Sequence, residues 1–105
     1  ATKRKTMAKQ AVGLLETRGL CCLVSGIDAA LKAANVELAG PMKNVGSGLC
    51  NAVLTGDVAA VKAAIDAGAD TAAGLGDVVS AHVIARPDEA IQQVIPAKKA
   101  SGRSK

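Results

Sequence analysis

The chain has no phenylalanine, tyrosine or tryptophan among its 105 residues. Aromatic side chains usually bury the most surface per residue, so alanine, valine, leucine and isoleucine must form the whole core. A domain of this size buries only about 60–65% of the surface that its unfolded chain exposes. Small cores of this kind commonly gain stability from oligomerisation. We therefore expect association with other chains to stabilise this protein.

Positive charge is concentrated at the two ends. Four basic residues and no acidic residue lie within residues 1–10, and the same holds for residues 97–105. The segment between them carries five basic and nine acidic residues, a net charge of −4, whereas the whole chain is +4. Basic tails can bind nucleic acid, membranes or acidic proteins, although solubilising ends are the commoner case. We predict a basic extension at 1–10, a folded domain at 11–96 and a basic flexible tail at 97–105.

The spacing of apolar residues predicts one order of elements. Strands are predicted at 11–17, 36–45, 49–55 and 78–84, and helices at 20–35, 57–73 and 88–94. Asp57 is a suitable N-cap for the second helix, and Gly40-Pro41 predicts a bend in the second extended segment. The resulting βαββαβ order with a short terminal helix is that of an α+β, ferredoxin-like fold.

Few residues in the chain are suited to catalysis or metal binding. His82 is the one histidine, it lies among apolar neighbours, and no second group is spaced to activate a nucleophile. Cys21, Cys22 and Cys50 have no zinc-binding spacing and are interpreted as small buried apolar residues, although Cys50 could also contribute to a shared iron–sulfur cluster. No apolar run approaches the ~18 residues of a membrane span. We expect neither enzymatic activity nor a cofactor or metal.

A glycine loop, Val45-Gly46-Ser47-Gly48-Leu49, lies midway along the chain. It lacks the Lys and Ser/Thr that follow the last glycine of a P-loop, and it opens into a predicted strand instead of a helix. On its own it is an ordinary turn. Specific nucleic-acid binding is also disfavoured, because ferredoxin-like sheets normally stack bases on aromatic residues.

Several blocks of sequence, taken together, resemble one family. The blocks are Gly13-Leu14-Leu15-Glu16-Thr17-Arg18-Gly19, Asp28 to Val36, Val45 to Gly48, Thr55 to Gly68 and His82 to Pro87. In this order they resemble the bacterial microcompartment shell proteins of the single-domain, hexamer-forming class. The resemblance spans about residues 12–96.

The resemblance implies a structural protein. It implies a sixfold hexameric tile that packs edge to edge into a polyhedral shell in the cytoplasm, beside other hexamers, trimers and pentamers, around enclosed enzymes. Lys32, Asn35 and Arg86 match the positions of the edge between tiles. Gly46, Ser47 and Gly48 match a loop that lines a pore for small polar metabolites, with Lys43 and Asn44 as further pore candidates. Pro41 stands where the family usually has an aromatic residue.

Two other functions stay open from the residues alone. One is a small-ligand or regulatory binding module on a ferredoxin-like fold. The other is non-specific nucleic-acid binding through the basic tails, which would weaken steeply with salt. The mass of the particle in solution separates the first from a tile.

Overall fold

The predicted elements form within residues 10–95, which are the residues that the computed structural model of the protein describes. The strands are β1 (Ala11–Arg18), β2 (Glu37–Leu38), β3 (Lys43–Gly46), β4 (Leu49–Gly56) and β5 (Asp77–Ile84). The helices are α1 (Leu20–Ala33), α2 (Val58–Ala73) and a 3₁₀ helix (Glu89–Gln93). The two predicted basic tails lie outside the described residues, apart from Gln10.

The strands form one antiparallel sheet in the order β2-β4-β1-β5, with β3 also paired to β4. β2 and β3 together occupy the place of a single strand in a βαββαβ fold. Gly40, at φ 119°, and Pro41 separate them. Proline cannot donate to a strand ladder, so the break falls where the sequence predicts a bend. The α+β, ferredoxin-like prediction is confirmed.

Both long helices cover the same face of the sheet. A Cβ atom added at Gly13 of β1 would lie 2.6 Å from Cγ1 of Ile65 in α2. Leu15, two residues further along β1 and therefore on the same face, contacts α1, because its Cδ2 would lie 3.2 Å from a Cβ at Gly26. The core lies between this face and the helices, and its largest fully buried aliphatic side chains are Leu15, Leu23, Leu54 and Val61.

The two helices cross at a pair of glycines. A Cβ at Gly26 of α1 would lie 2.9 Å from the Gly68 carbonyl oxygen, and a Cβ at Gly68 would lie 2.8 Å from the Gly26 carbonyl oxygen. Beside this crossing, Cys22 Sγ donates to the Ala72 carbonyl at 3.1 Å. Side-chain-free positions thus let the backbones of α1 and α2 touch, which suits a core built without aromatic residues.

One strand is left largely uncovered. β5 pairs only with β1 and most of its residues are exposed, including Val79 at 47%. Other large apolar side chains are also exposed on the described part of the chain: Leu20, Val24, Leu31, Val45, Val58, Leu75 and Val94. No helix within residues 10–95 is long and apolar enough to cross a membrane.

Three local details differ from the sequence-based expectations. Cys22 and Cys50 are buried, as predicted, but the prediction is wrong for Cys21, which is exposed on α1. α1 ends at Ala33 because Ala34 has an extended conformation, with φ −154° and ψ 166°. Asp57 is the N-cap residue of α2, yet its side chain makes no capping hydrogen bond.

Candidate functional site

The glycine loop is the tight turn of the β3–β4 hairpin. Gly46 pairs with Leu49, so Ser47 and Gly48 are the two turn residues. Both have positive φ, 54° and 77°, and Gly46 has φ 93°. Positive φ at both turn residues matches the right-handed twist of a hairpin and favours glycine. Ser47 is the only non-glycine residue with positive φ within residues 10–95.

Contacts to the end of β1 hold this turn. The Gly19 N–H donates to the Gly48 carbonyl at 2.6 Å, and Arg18 Nη1 donates to the Ser47 carbonyl at 3.2 Å. Cys50 Sγ lies 3.9 Å from the same Gly48 carbonyl. Both carbonyl groups of the turn are therefore directed at β1 and its neighbourhood.

The hydrogen-bond donors of the turn remain available. No described residue accepts from the Ser47 or Gly48 N–H, or from the Ser47 hydroxyl. Asn44 Oδ1 accepts from the Gly46 N–H at 3.0 Å, which fixes the approach to the turn. The residues from Lys43 to Gly48 are all exposed. The turn thus presents donors to solvent, a surface suited to carboxylate, phosphate or other oxyanion groups.

The three predicted edge residues are also exposed. Lys32 lies in the last turn of α1, Asn35 lies just beyond that helix, and Arg86 follows β5. Lys32 Nζ forms an ion pair with Asp28 Oδ2 at 2.9 Å, with 76% of its own side chain exposed. An i,i+4 pair this exposed contributes little to stability, about 0.3–0.5 kcal/mol, so Lys32 can exchange this partner for another.

The sheet register separates the loop from the predicted edge residues. At one end of β1, Arg18 lies opposite Leu49 and Asp77, next to the turn. At the other end, Ala11 lies opposite Gly56 and Val12 lies opposite Ile84, just before Arg86. The Asn35 carbonyl lies 3.3 Å from the Cβ position of Gly56, at that same end. The two ends of β1 are about 23 Å apart, with the turn at one end and Asn35 and Arg86 near the other.

The single histidine and the acidic and thiol side chains lie apart from one another in residues 10–95. His82 is exposed on β5, opposite Leu14. No group of three or more histidine, cysteine, aspartate or glutamate side chains within the described residues could hold a metal ion. The loop can donate hydrogen bonds. The opposite end of β1 can present charged side chains to another surface.

Sequence reasoning missed the role of Arg18 in anchoring the turn. The signal was present, because a ferredoxin-like order places the end of β1 beside the start of β4. Arg18 is the last residue of β1 and Leu49 is the first of β4, so its side chain is within reach of the turn.

Comparison with known proteins gives consistent relatives. Residues 11–87 match the family model described as BMC domain. The chain is 52% identical over 87 residues to the bacterial microcompartment shell protein EutM of Salmonella typhimurium, a match that covers 83% of this chain and 90% of EutM. It is 46% identical over 90 residues to the bacterial microcompartment shell protein PduA of Citrobacter freundii, covering 86% of this chain and 96% of PduA.

A more distant relative and a solved structure agree. The carboxysome shell protein CcmK2 of Thermosynechococcus vestitus is 46% identical over 88 residues, covering 82% of this chain and 85% of CcmK2. A crystal structure of a microcompartment protein from Desulfitobacterium hafniense is similar with a TM-score of 0.68 at 32% identity. That match covers 74% of this chain and 42% of the other, so the chain spans less than half of that protein. With the family model matching most of its length, this chain belongs to the BMC domain family.

Proposed function

We propose that this chain is a structural, non-enzymatic shell protein of a bacterial microcompartment, and that six copies form a flat tile around a sixfold axis. The shell role is supported by relatives that are named as shell proteins and that match this chain over most of their own length. Association with further copies also suits the exposed β5 strand and the apolar side chains that the single chain leaves uncovered.

One observation carries the tile proposal: the glycine turn lies at one end of β1, and the edge candidates Asn35 and Arg86 lie near the other. A tile needs one end of each chain at its centre and the other at its rim. The turn has the properties of a central element, because its glycines allow close approach of several backbones. The far end has exposed cations suited to contacts with a neighbouring tile.

The proposed pore is lined by Gly46, Ser47 and Gly48, with Lys43 and Asn44 beside it. In each chain, two N–H groups and one hydroxyl of the turn have no partner among residues 10–95, so six chains would form a ring of donors. A ring of fixed donors favours small polar or anionic metabolites over apolar ones. Lys43 is exposed and adds positive potential near one mouth.

The proposed edge is formed by Lys32, Asn35 and Arg86. The long stem of Lys32 can pack along a neighbouring tile while its ammonium group donates to backbone carbonyls there. The intrachain partner Asp28 holds the ammonium group until that contact forms. Arg86, after β5, offers a planar set of donors to the same boundary.

The proposed partners are other copies of this chain and other shell proteins: hexamers, trimers and pentamers. Enclosed enzymes are the proposed cargo, and the shell of a microcompartment in the bacterial cytoplasm is the proposed location. The domain is proposed to span residues 11–96, with basic segments at 1–10 and 97–105.

The experiment compares Lys32→Asp with Lys62→Asp by electron microscopy and by particle mass. Both substitutions reverse one exposed helix charge, but Lys62 lies on α2 and is not an edge candidate. We expect Lys32→Asp to keep the hexamer mass and to abolish sheets or shells, whereas Lys62→Asp retains both. Sheets that form equally well with Lys32→Asp would remove Lys32 from the edge.

A further inference from the structure

Arg18 makes a contact that its position in the sheet does not require. It lies opposite Asp77 in the β1–β5 pairing, where an ion pair would be the simplest arrangement. The structure, however, shows no ion pair between Arg18 and Asp77. The Arg18 guanidinium instead donates from Nη1 to the Ser47 carbonyl at 3.2 Å. Its stem lies against the turn, because Cγ would be 3.6 Å from a Cβ at Gly48.

This contact decides which groups the turn presents. A two-residue turn has two carbonyl acceptors and two N–H donors of its own. Here the Gly19 N–H occupies the Gly48 carbonyl and Arg18 occupies the Ser47 carbonyl. The donors keep no protein partner among the described residues. Without Arg18, the Ser47 carbonyl would be free to turn towards a solute and to repel an anion.

We propose that Arg18 is a positioning residue that makes the glycine turn selective for small oxyanions. It acts by keeping the Ser47 carbonyl hydrogen-bonded and away from the solute, and by placing a guanidinium charge close to the donors. The solute itself meets the Ser47 and Gly48 N–H groups and the Ser47 hydroxyl. The proposal rests on the proposed function, because a single turn becomes an enclosing site only in a ring.

The test measures binding of inorganic phosphate to the assembled full-length protein through the amide resonances of Ser47 and Gly48. The variants are Arg18→Met, Arg18→Lys and the control Lys62→Met, which removes an equal charge on α2. A second readout is the carbonyl carbon shift of Ser47 without phosphate, which reports whether that carbonyl accepts a hydrogen bond. Particle mass is measured for every variant.

We expect phosphate binding to be weakened about tenfold by Arg18→Met, the scale of a lost charge-assisted contact, together with a changed Ser47 carbonyl shift. Arg18→Lys should weaken binding less, because an ammonium keeps the charge but not the planar fork. Lys62→Met should leave both readouts unchanged. If Arg18→Met does not assemble, Arg18→Lys is compared with wild type instead. We then expect smaller changes in phosphate binding and in the Ser47 carbonyl shift, in the same direction.

Three results would overturn the proposal. Wild-type assemblies could fail to bind phosphate at the turn. Phosphate binding could be unchanged in the Arg18 variants that assemble. Binding could weaken while the Ser47 carbonyl shift stays the same, which would make Arg18 a distant charge and not a positioning residue. A wild-type particle mass that differs from six chains would instead refute the tile proposal. This outcome is distinguishable from the other three, because the mass is a separate measurement.

Discussion

The crossing of α1 and α2 makes Gly68→Ala a quantitative test of the packing. The new Cβ would lie 2.8 Å from the Gly26 carbonyl oxygen and 3.2 Å from Ala30 Cβ, whereas ordinary contacts begin near 3.4 Å. The obstacle is helix backbone, which cannot rotate away as a side chain can. The helices must therefore separate by about 0.6 Å, the shortfall in that contact, with overpacking of the kind that costs about 2–3 kcal/mol.

The helix propensity of alanine partly offsets this cost. Alanine is favoured over glycine inside a helix by about 1 kcal/mol, which leaves a net loss of about 1–2 kcal/mol in the free energy of unfolding. For a domain of this size that corresponds to a melting temperature lower by about 5–15 °C. Because α1 carries Lys32, we also expect the proposed edge to be displaced and sheets to form less readily.

Gly74→Ala is the matched control. Gly74 follows α2, has φ −76°, and a Cβ there would meet nothing nearer than the Thr71 carbonyl at 3.5 Å. We expect its stability to stay within about 0.5 kcal/mol of wild type. Thermal unfolding is compared at one chain concentration, since association makes melting temperatures concentration-dependent. A melting temperature for Gly68→Ala equal to or above that of Gly74→Ala would refute the close-packing argument.

One further substitution tests the loop, and one chemical reaction tests the thiols. Ser47→Asn introduces a residue type that tolerates positive φ and has a larger side chain. We therefore expect slower passage of small solutes into assembled shells, with stability within about 0.5 kcal/mol of wild type and an unchanged particle mass. Loss of the hexamer would show that the turn is structural before it is a pore. A thiol reagent should modify Cys21 quickly in the native protein and reach Cys22 and Cys50 only in denaturant, because only Cys21 is exposed; fast reaction of all three would contradict the described burial.

The order of elements could be predicted because local patterns and global fold agree. The helical spacing from Leu20 and the N-cap position of Asp57 both mark helices that the structure contains. Gly40-Pro41 likewise marks the break between β2 and β3. These signals depend on neighbouring residues and are therefore readable in a single sequence.

Contacts between distant segments are harder to predict from the sequence. The exposure of Cys21 depends on which side of α1 faces the sheet and α2. Cys21 and Cys22 are about 100° apart around the helix, and only the structure shows which of them lies at the edge of the buried face. The bond from Arg18 to Ser47 joins residues 29 positions apart and depends on the register of β1 with β4. Assignment of Lys32, Asn35 and Arg86 to an edge came from the family resemblance, since their spacing alone indicates only exposed polar residues.

Particle mass in solution tests the central claim most directly. A hexamer of 10.4 kDa chains has a mass of about 62 kDa, which native mass spectrometry or light scattering separates clearly from smaller assemblies. The tile account predicts a single species at that mass over a wide range of chain concentrations. A stable, folded monomer or dimer would contradict it, because the glycine turn would then enclose no pore and the exposed β5 strand would need no partner.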